Sequence, residues 1–154
     1  MSYSRRNSPF ANSALVVPHS IDKNDIKSGI AFQRQLEQAA FEVGGKNFSV
    51  PKQTANNFLA KKSAPCNLWD FMPNDICQNL EAALYEFDKK MPGFIKNGLL
   101  IAPETRTSAP IRIVRKENCE SVSVSGIYPI GEGAGYAGGI LTSAADGVRL
   151  AYAI

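Results

Sequence analysis

A glycine-rich stretch near the carboxyl end carries the residues best suited to bind a ligand. Five glycines lie within nine residues: Gly131, Gly133, Gly135, Gly138 and Gly139. Within this stretch, "GAGYAG" (133–138) fits the G-x-G-x-x-G pattern, in which backbone N–H groups bind the phosphates of a dinucleotide. Glycine loses much backbone entropy on folding, so such a density is best tolerated where a ligand must approach the backbone closely. The stretch therefore predicts a ligand-binding turn.

The sequence around this turn does not supply the rest of a first Rossmann unit. That unit needs a strand, the glycine turn, a helix and then a second strand, with an acidic residue about 20 residues further on. Only 16 residues follow Gly138, and the predicted helix at 138–152 takes up most of them, so there is no second strand. A complete dinucleotide fingerprint is therefore rejected here. The alternative is a tight strand-to-helix connection whose glycines allow close packing.

The composition is typical of a globular protein and excludes two classes of partner. The 154 residues suit one domain, with 44% hydrophobic and 20% charged residues. The net charge of +3 is mild and the basic residues are scattered, so we expect no nucleic-acid partner. No apolar run approaches the roughly 18 residues of a membrane span, so we expect no membrane partner.

The cysteines and the single histidine argue against a metal site. Cys66, Cys77 and Cys119 form no C-x-x-C pair and are odd in number, which disfavours both a disulfide framework and a zinc site. His19 has no second histidine to form a metal cluster or a catalytic dyad. Free thiols are typical of a reducing compartment, so we expect a cytoplasmic protein.

Apolar spacing predicts four helices and several short strands, which gives an α+β or mixed α/β class. The predicted helices are 28–43, 50–62, 74–90 and 138–152. The predicted strands are 12–17, 98–103, 109–116 and 126–130. A helical block thus lies between short β segments, and no strand has an adjacent βαβ partner to complete a parallel sheet. The short strands could pair with one another, but they would form only a small sheet with exposed edges.

The segment "GIYPIGEGAGYAGGILTSAADGVRLA" (126–151) resembles the carboxyl-terminal flavin-binding motif of FAD-dependent oxidoreductases described as NAD(FAD)-utilising dehydrogenases. The stretches "PETRTSAPIRIVR" (103–115) and "ANSALVV" (11–17) and the helical block fit the same family. The resemblance implies an incomplete part of a larger two-domain flavoprotein, beginning at an internal methionine. The missing amino-terminal FAD-binding domain would be its partner and would hold the true FAD pyrophosphate fingerprint.

The resemblance also implies that the chain divides into three segments with different roles. Residues 1–20 would be a short strand and connection, 21–97 a helical substrate or cap-type domain, and 98–154 a segment that completes the FAD-binding domain. FAD would be the cofactor of the complete protein, bound weakly or not at all by this chain alone, and NAD(P)H a further partner. No catalytic acid or base can be named, and we expect this chain alone to be inactive. The alternative is a stand-alone, non-catalytic binding or assembly module with a glycine-rich packing turn.

Several residues acquire roles through the resemblance. Glu132 would lie near the FAD ribityl chain or pyrophosphate, the alternative being a solvent-facing turn residue. Tyr136 would border the isoalloxazine ring, or serve only as a packing aromatic. The helix start at Gly138, Gly139 and Ile140 would point its free N–H groups at the flavin pyrimidine edge and stabilise negative charge there.

Arg106, in the segment "ETRTSAP", is the remaining candidate. The resemblance places this loop near the flavin, where the guanidinium would meet the flavin or a substrate anion. The alternative is an ion pair with the neighbouring Glu104.

Overall fold

A computed structural model of the chain describes residues 5, 7–22, 24–62, 65–101 and 103–154. Outside these ranges lie residues 1–4 and 6 of the predicted segment 1–20, residues 23, 63 and 64, and residue 102 of the predicted strand 98–103. The chain divides into two compact units. The first unit comprises Met1–Ser20 and Val50–Ala102, and the second comprises Ile21–Ser49 and Pro103–Ile154. The functional division at residues 20 and 97 stays a prediction.

Within the described ranges, five α-helices and a small sheet confirm the α+β class. The helices are α1 (Ser28–Val43), α2 (Ala55–Leu59), α3 (Asn74–Lys90), α4 (Phe94–Asn97) and α5 (Ile140–Ala153), with a 3-10 helix at Leu68–Asp70. The strands are β1 (Lys52–Thr54) and β2 (Leu99–Ile101). They pair antiparallel with Gln53 opposite Leu100, so the sheet joins segments almost 50 residues apart.

The core of the first unit forms where α2 and α3 pack beside the sheet. Phe58, Cys77 and Leu84 are almost completely buried there. The rings of Phe58 and Trp69 stack with centroids 5.4 Å apart, and the indole N–H donates to the Phe58 carbonyl at 3.0 Å. Burial raises the pKa of the Cys77 thiol to about 11. This thiol is therefore a small core group that stays protonated at neutral pH.

One buried polar side chain, Gln53 of β1, ties the sheet to the following loop. Its Nε2 donates to the Lys62 carbonyl at 2.7 Å, and its Oε1 accepts the Leu68 N–H at 3.1 Å. Burial of an amide is costly unless both ends are hydrogen-bonded. Both ends of the amide are hydrogen-bonded here, so Gln53 links strand β1 to residues 62 and 68 inside the first unit.

The predicted helix at 50–62 is in fact a strand followed by a short helix. Thr54 is extended and its Oγ1 accepts the Asn57 N–H at 3.2 Å, which starts α2 at Ala55. Lys61 adopts a left-handed φ of 51° just after α2, which prevents further helix. The residues before Thr54 instead pair with β2 as strand β1.

The strands predicted at 12–17, 109–116 and 126–130 are wrong. In the first unit, residues 14–18 form no strand and line one groove with Leu80, Ala83 and Phe87 of α3. In the second unit, neither segment forms a strand. Only an isolated antiparallel bridge joins Arg115 to Ser121, and other backbone bonds are irregular, such as the Ile113 N–H to the Ala134 carbonyl. Pro110 and Pro129 each remove a ladder donor from these two segments.

The second unit buries very few large side chains. Its buried apolar side chains are Leu36 of α1, Cys119 and Ala134. No apolar residue of helix α5 is buried. Polar contacts and close backbone packing therefore carry much of the order in this unit, and one group of them surrounds the glycine-rich stretch.

Candidate functional site

The glycine-rich stretch forms a closed turn before α5. The Gly135 N–H donates to the Glu132 carbonyl at 2.9 Å, and the Tyr136 N–H donates to the Gly131 carbonyl at 3.0 Å. Gly131 and Gly135 have φ values of 71° and 83°. These left-handed conformations favour glycine at both positions.

Gly135 is also required by packing. A Cβ atom at this position would lie 2.5 Å from the Ile111 carbonyl oxygen and 3.0 Å from the Arg112 Cα. Arg112 in turn donates from Nε to the Gly135 carbonyl at 2.9 Å. The backbone of the turn therefore lies directly against the 111–112 segment.

The other three glycines of the stretch are not explained in this way. A Cβ on Gly133 or Gly138 would meet no described atom within 4 Å, and neither residue has a left-handed φ. Gly139 is extended, and a Cβ there would reach only the Thr142 Oγ1 at 3.8 Å. Packing among the described residues thus leaves open space over this part of the turn.

A buried ion pair between Arg115 and Asp146 lies beneath the turn. Nη2 of Arg115 lies 2.6 Å from Oδ1 of Asp146, and Nη1 lies 2.9 Å from Oδ2. The two side chains are only 5% and 10% exposed. Nη1 also donates to the Pro129 carbonyl at 2.8 Å, and Oδ2 accepts the Gly131 N–H at 2.9 Å. One carboxylate of α5 therefore fixes both the arginine and the start of the turn.

These contacts shift the ionisation of both groups. The hydrogen bonds from Arg115, and then from the Gly131 N–H, lower the pKa of Asp146 from 3.8 to about 2. The same pair raises the pKa of Arg115 above its already high value. The pair is fully charged at neutral pH.

Tyr136 packs on this ion pair. The Arg115 guanidinium carbon lies 3.7 Å from the centre of the tyrosine ring, and that of Arg112 lies at 5.0 Å. The hydroxyl donates to the Ile113 carbonyl at 3.0 Å. Tyr136 therefore has a packing role in this structure, and its predicted contact with a flavin stays a prediction.

Two polar features of the turn face outward. The Glu132 side chain is half-buried, and its carboxylate has no hydrogen bond or ion pair with any described residue. At the start of α5, Gly139 provides no side-chain cap for the first N–H groups of the helix. The side chains of Ile140 and Leu141 beside them are 90% and 84% exposed. A carboxylate acceptor and helix N–H donors are thus both available within the second unit.

Arg106 pairs with a residue that the sequence did not suggest. Its Nε lies 2.8 Å from Oε1 of Glu37 on α1, and its Nη2 lies 3.2 Å from Oε2, so Glu104 is not the partner. Thr105 donates its hydroxyl to the same Glu37 carboxylate at 2.8 Å. The hydrogen bonds from Arg106 and then Thr105 lower the pKa of Glu37. The Arg106 side chain is 77% exposed, which leaves it open to an anion.

Sequence reasoning missed Arg115, Asp146 and Glu37. Arg115 and Asp146 are 31 residues apart, and Glu37 and Arg106 are 69 apart, so no local spacing relates them. One signal was present for the first pair. Asp146 is the only acid after Glu132 and lies within a largely apolar helix. A lone buried acid of this kind requires a partner.

Two kinds of feature are absent from the described residues. Within the described ranges, no group of three or more His, Cys, Asp or Glu side chains is placed to hold a metal ion. Likewise, no helix in those ranges is long and apolar enough to cross a membrane.

Comparison with known proteins identifies the family. Residues 1–107 match the family described as FAD-dependent protein, C-terminal domain-like. The chain belongs to this family. It is also 37% identical, over 172 aligned positions, to an uncharacterised protein of Clostridium beijerinckii (strain ATCC 51743 / NCIMB 8052). That alignment covers 98% of this chain and 32% of the relative, so the chain spans about a third of the relative's length.

The two comparisons cover different parts of the chain. The family match includes the whole first unit and Arg106, and it ends before the glycine-rich turn. The similarity to the Clostridium beijerinckii protein extends over nearly the whole chain. The assignment to the family therefore rests on residues 1–107, and the role of the turn has to be argued from its own geometry.

The ion pair predicts a loss of stability in acid. Asp146 is more acidic in the folded chain than in the unfolded chain, so the folded state holds fewer protons below neutral pH. We expect its contribution to be complete above about pH 5 and to be lost as the pH falls towards 2. Chemical unfolding of the second unit, followed between pH 7 and pH 2, measures this effect.

The control for this prediction is Asp146→Asn, which should flatten the dependence on pH. Glu120, held at a pKa of about 2 chiefly by a hydrogen bond from Lys116 and then by the Gly126 N–H, titrates in the same window. The variant should therefore retain a smaller slope. An unchanged slope would show that Asp146 is not the group responsible.

Proposed function

We propose that this chain is the carboxyl-terminal part of an FAD-dependent oxidoreductase, in which the turn at residues 131–140 lines the flavin. The observation that carries the proposal is the open space over Gly133 and Gly138. Glycines required by neither conformation nor packing are suited to close approach of a ligand to the backbone. Membership of the FAD-dependent family supports FAD as that ligand.

The residues around the turn fit the polar parts of FAD. The Glu132 carboxylate can accept hydrogen bonds from the hydroxyls of the ribityl chain. The first N–H groups of α5, around Gly139 and Ile140, can donate to the electron-rich edge of the flavin, and the helix dipole adds partial positive charge there. Arg106, already charged and exposed, can meet a substrate anion. FAD itself supplies the hydride and electron transfer when bound.

The apolar face of α5 supports a further domain in the same protein. Leu141, Val148 and Tyr152 follow helical spacing, and each is more than half exposed. A stripe of large apolar side chains on one helix face is typical of a face covered by another domain. We propose that the flavin-binding part of the longer protein covers it, with NAD(P)H as the electron donor of the complete enzyme.

A stand-alone binding or assembly module is the second candidate. The left-handed Gly131 and the tightly packed Gly135 favour it, because both are explained without any ligand. The same apolar face of α5 would then bind a different protein. The two candidates differ in what they predict for Gly133, which has a role only if a ligand approaches the turn.

The test compares Gly133→Ala with Gly147→Ala in the longer protein. Gly147 lies in α5 and a Cβ there meets no described atom within 4 Å, so it controls for adding a methyl group to this region. We expect Gly133→Ala to raise the Kd for FAD at least tenfold, a loss of about 1.4 kcal/mol, with stability unchanged. Gly147→Ala should leave FAD binding unchanged. Equilibrium dialysis with flavin fluorescence measures both.

FAD binding by the two wild-type proteins and by a Glu132 variant provides the other tests. We expect this chain alone to bind FAD weakly or not at all, and Glu132→Ala to weaken the binding of FAD to the longer protein. A longer protein that holds no flavin would contradict the proposal and favour the assembly module. Tight FAD binding by this chain alone would show that the turn belongs to a complete flavin site.

A further inference from the structure

The buried pair Arg115–Asp146 has no place in the function proposed above, although it contacts Pro129, Gly131 and Tyr136 in and before the turn. Asp146 reaches from α5 to the Gly131 N–H. Arg115 reaches the Pro129 carbonyl just before the turn and lies under the Tyr136 ring. Three segments distant in sequence thus meet at one charged pair.

The geometry of the pair restricts motion of the turn. A guanidinium that binds a carboxylate through two parallel hydrogen bonds fixes the orientation of both groups as well as their distance. The ring of Tyr136 closes one face of the guanidinium, and its hydroxyl is held by the Ile113 carbonyl. The turn and the first turns of α5 therefore share one rigid support.

Stability alone does not explain a buried ion pair at this position. Removing two charges from water costs several kcal/mol, and apolar residues of similar size often replace such pairs without loss of stability. An apolar pair could fill the same volume. It could not accept the hydrogen bond of the Gly131 N–H, which the Asp146 carboxylate accepts at 2.9 Å.

We propose that Arg115 and Asp146 are positioning residues, which hold the 131–136 turn and the start of α5 in the one arrangement that receives the flavin. This inference rests on the proposed function. Neither side chain touches the flavin in this proposal, because both are buried beneath the turn. Their effect on the cofactor passes through the Gly131 backbone and the Tyr136 ring.

The test uses the double variant Arg115→Met/Asp146→Leu, with Arg115→Lys and Asp146→Asn as single variants. The double variant keeps the volume of the pair and removes its charges, so it tests positioning separately from folding. Arg149→Met is the matched control, since Arg149 is an exposed cation on the same helix, three residues from Asp146. Two quantities are measured for each protein: amide exchange at Gly131 in this chain, and flavin binding in the longer protein.

We expect the double variant to stay folded while the Gly131 amide loses at least tenfold in protection from exchange. In the longer protein, its Kd for FAD should rise at least tenfold, and the visible absorption band of the flavin that remains bound should shift. The single variants should show the same changes, and Arg149→Met should show none. A purely structural pair would not move the flavin band in a folded variant.

The outcomes separate this inference from the proposed function. If the wild-type longer protein holds no flavin, the proposed function fails, and the inference fails with it. If the wild-type protein binds FAD and the folded double variant binds it with the same affinity and spectrum, only the positioning role is overturned. Unchanged protection of Gly131 in the double variant overturns the positioning role without any measurement on flavin.

Discussion

Phe58→Ala is expected to lower the free energy of unfolding of the first unit by about 3–5 kcal/mol. Phe58 is fully buried on α2 and stacks on Trp69. Truncation removes the favourable transfer free energy of the ring. It also leaves a cavity beneath α2, because the surrounding residues relax only partially. A loss of this size is a large part of the stability of a small unit.

The Trp69 indole makes this prediction easy to measure, because it is the only tryptophan and its ring contacts Phe58. Its fluorescence reports unfolding of the first unit in urea. Phe10→Ala is the matched control, since Phe10 lies in the same unit and is 78% exposed. We expect that control to change the free energy of unfolding by less than about 0.5 kcal/mol. A similar loss in both variants would show that Phe58 is not the centre of the core.

The two long helices could be predicted because their signals are local. In α3 the apolar positions at 76, 80, 84 and 87 repeat at helical spacing, and Lys89 and Lys90 precede a Pro-Gly stop. In α1 the Gly44–Gly45 pair ends the helix where the repeat ends. Each helix satisfies its own backbone, so a pattern of about 16 residues is enough to identify it.

The strands could not be predicted in the same way. A strand needs a partner for its backbone groups, and the partner is set by the whole fold. Residues 12–17 have strand composition and find no pairing strand, whereas Lys52–Thr54 pair with Leu99–Ile101 despite a helical spacing. β-propensity describes a fit to neighbours, and single-sequence reasoning does not know those neighbours.

In the candidate site, too, the local features could be predicted and the long-range contacts could not. The density of glycines marked the turn before α5, because glycine has few reasons to cluster. The roles of individual glycines were hidden, since only the backbone path of residues 111–112 shows why Gly135 is required and Gly133 is not. Arg115, Asp146 and Glu37 depend on contacts between distant segments, and the sequence holds no spacing rule for such pairs.

Gly135→Ala is expected to lower the free energy of unfolding of the second unit by about 2–5 kcal/mol. The φ of 83° costs a residue with a Cβ about 1–2 kcal/mol. The new Cβ would lie 2.5 Å from the Ile111 carbonyl oxygen, and relieving that contact costs about 1–3 kcal/mol more. Both partners are backbone atoms, so no side-chain rotation can relieve the overlap. The Arg112 hydrogen bond to Gly135 is strained by the same movement.

Gly133→Ala is the control for this prediction, because it adds the same methyl group to the same turn only two residues away. Its Cβ enters open space without a left-handed φ, so we expect unchanged or slightly greater stability, by up to about 1 kcal/mol, because alanine restricts the unfolded chain. Hydrogen exchange in residues 131–150, measured in urea, compares the two variants within one unit. Equal losses would mean that every glycine of the turn serves packing, which is the assembly-module reading. A loss confined to Gly135 leaves Gly133 without a structural reason to be glycine, so that a ligand over the turn becomes the remaining physical explanation.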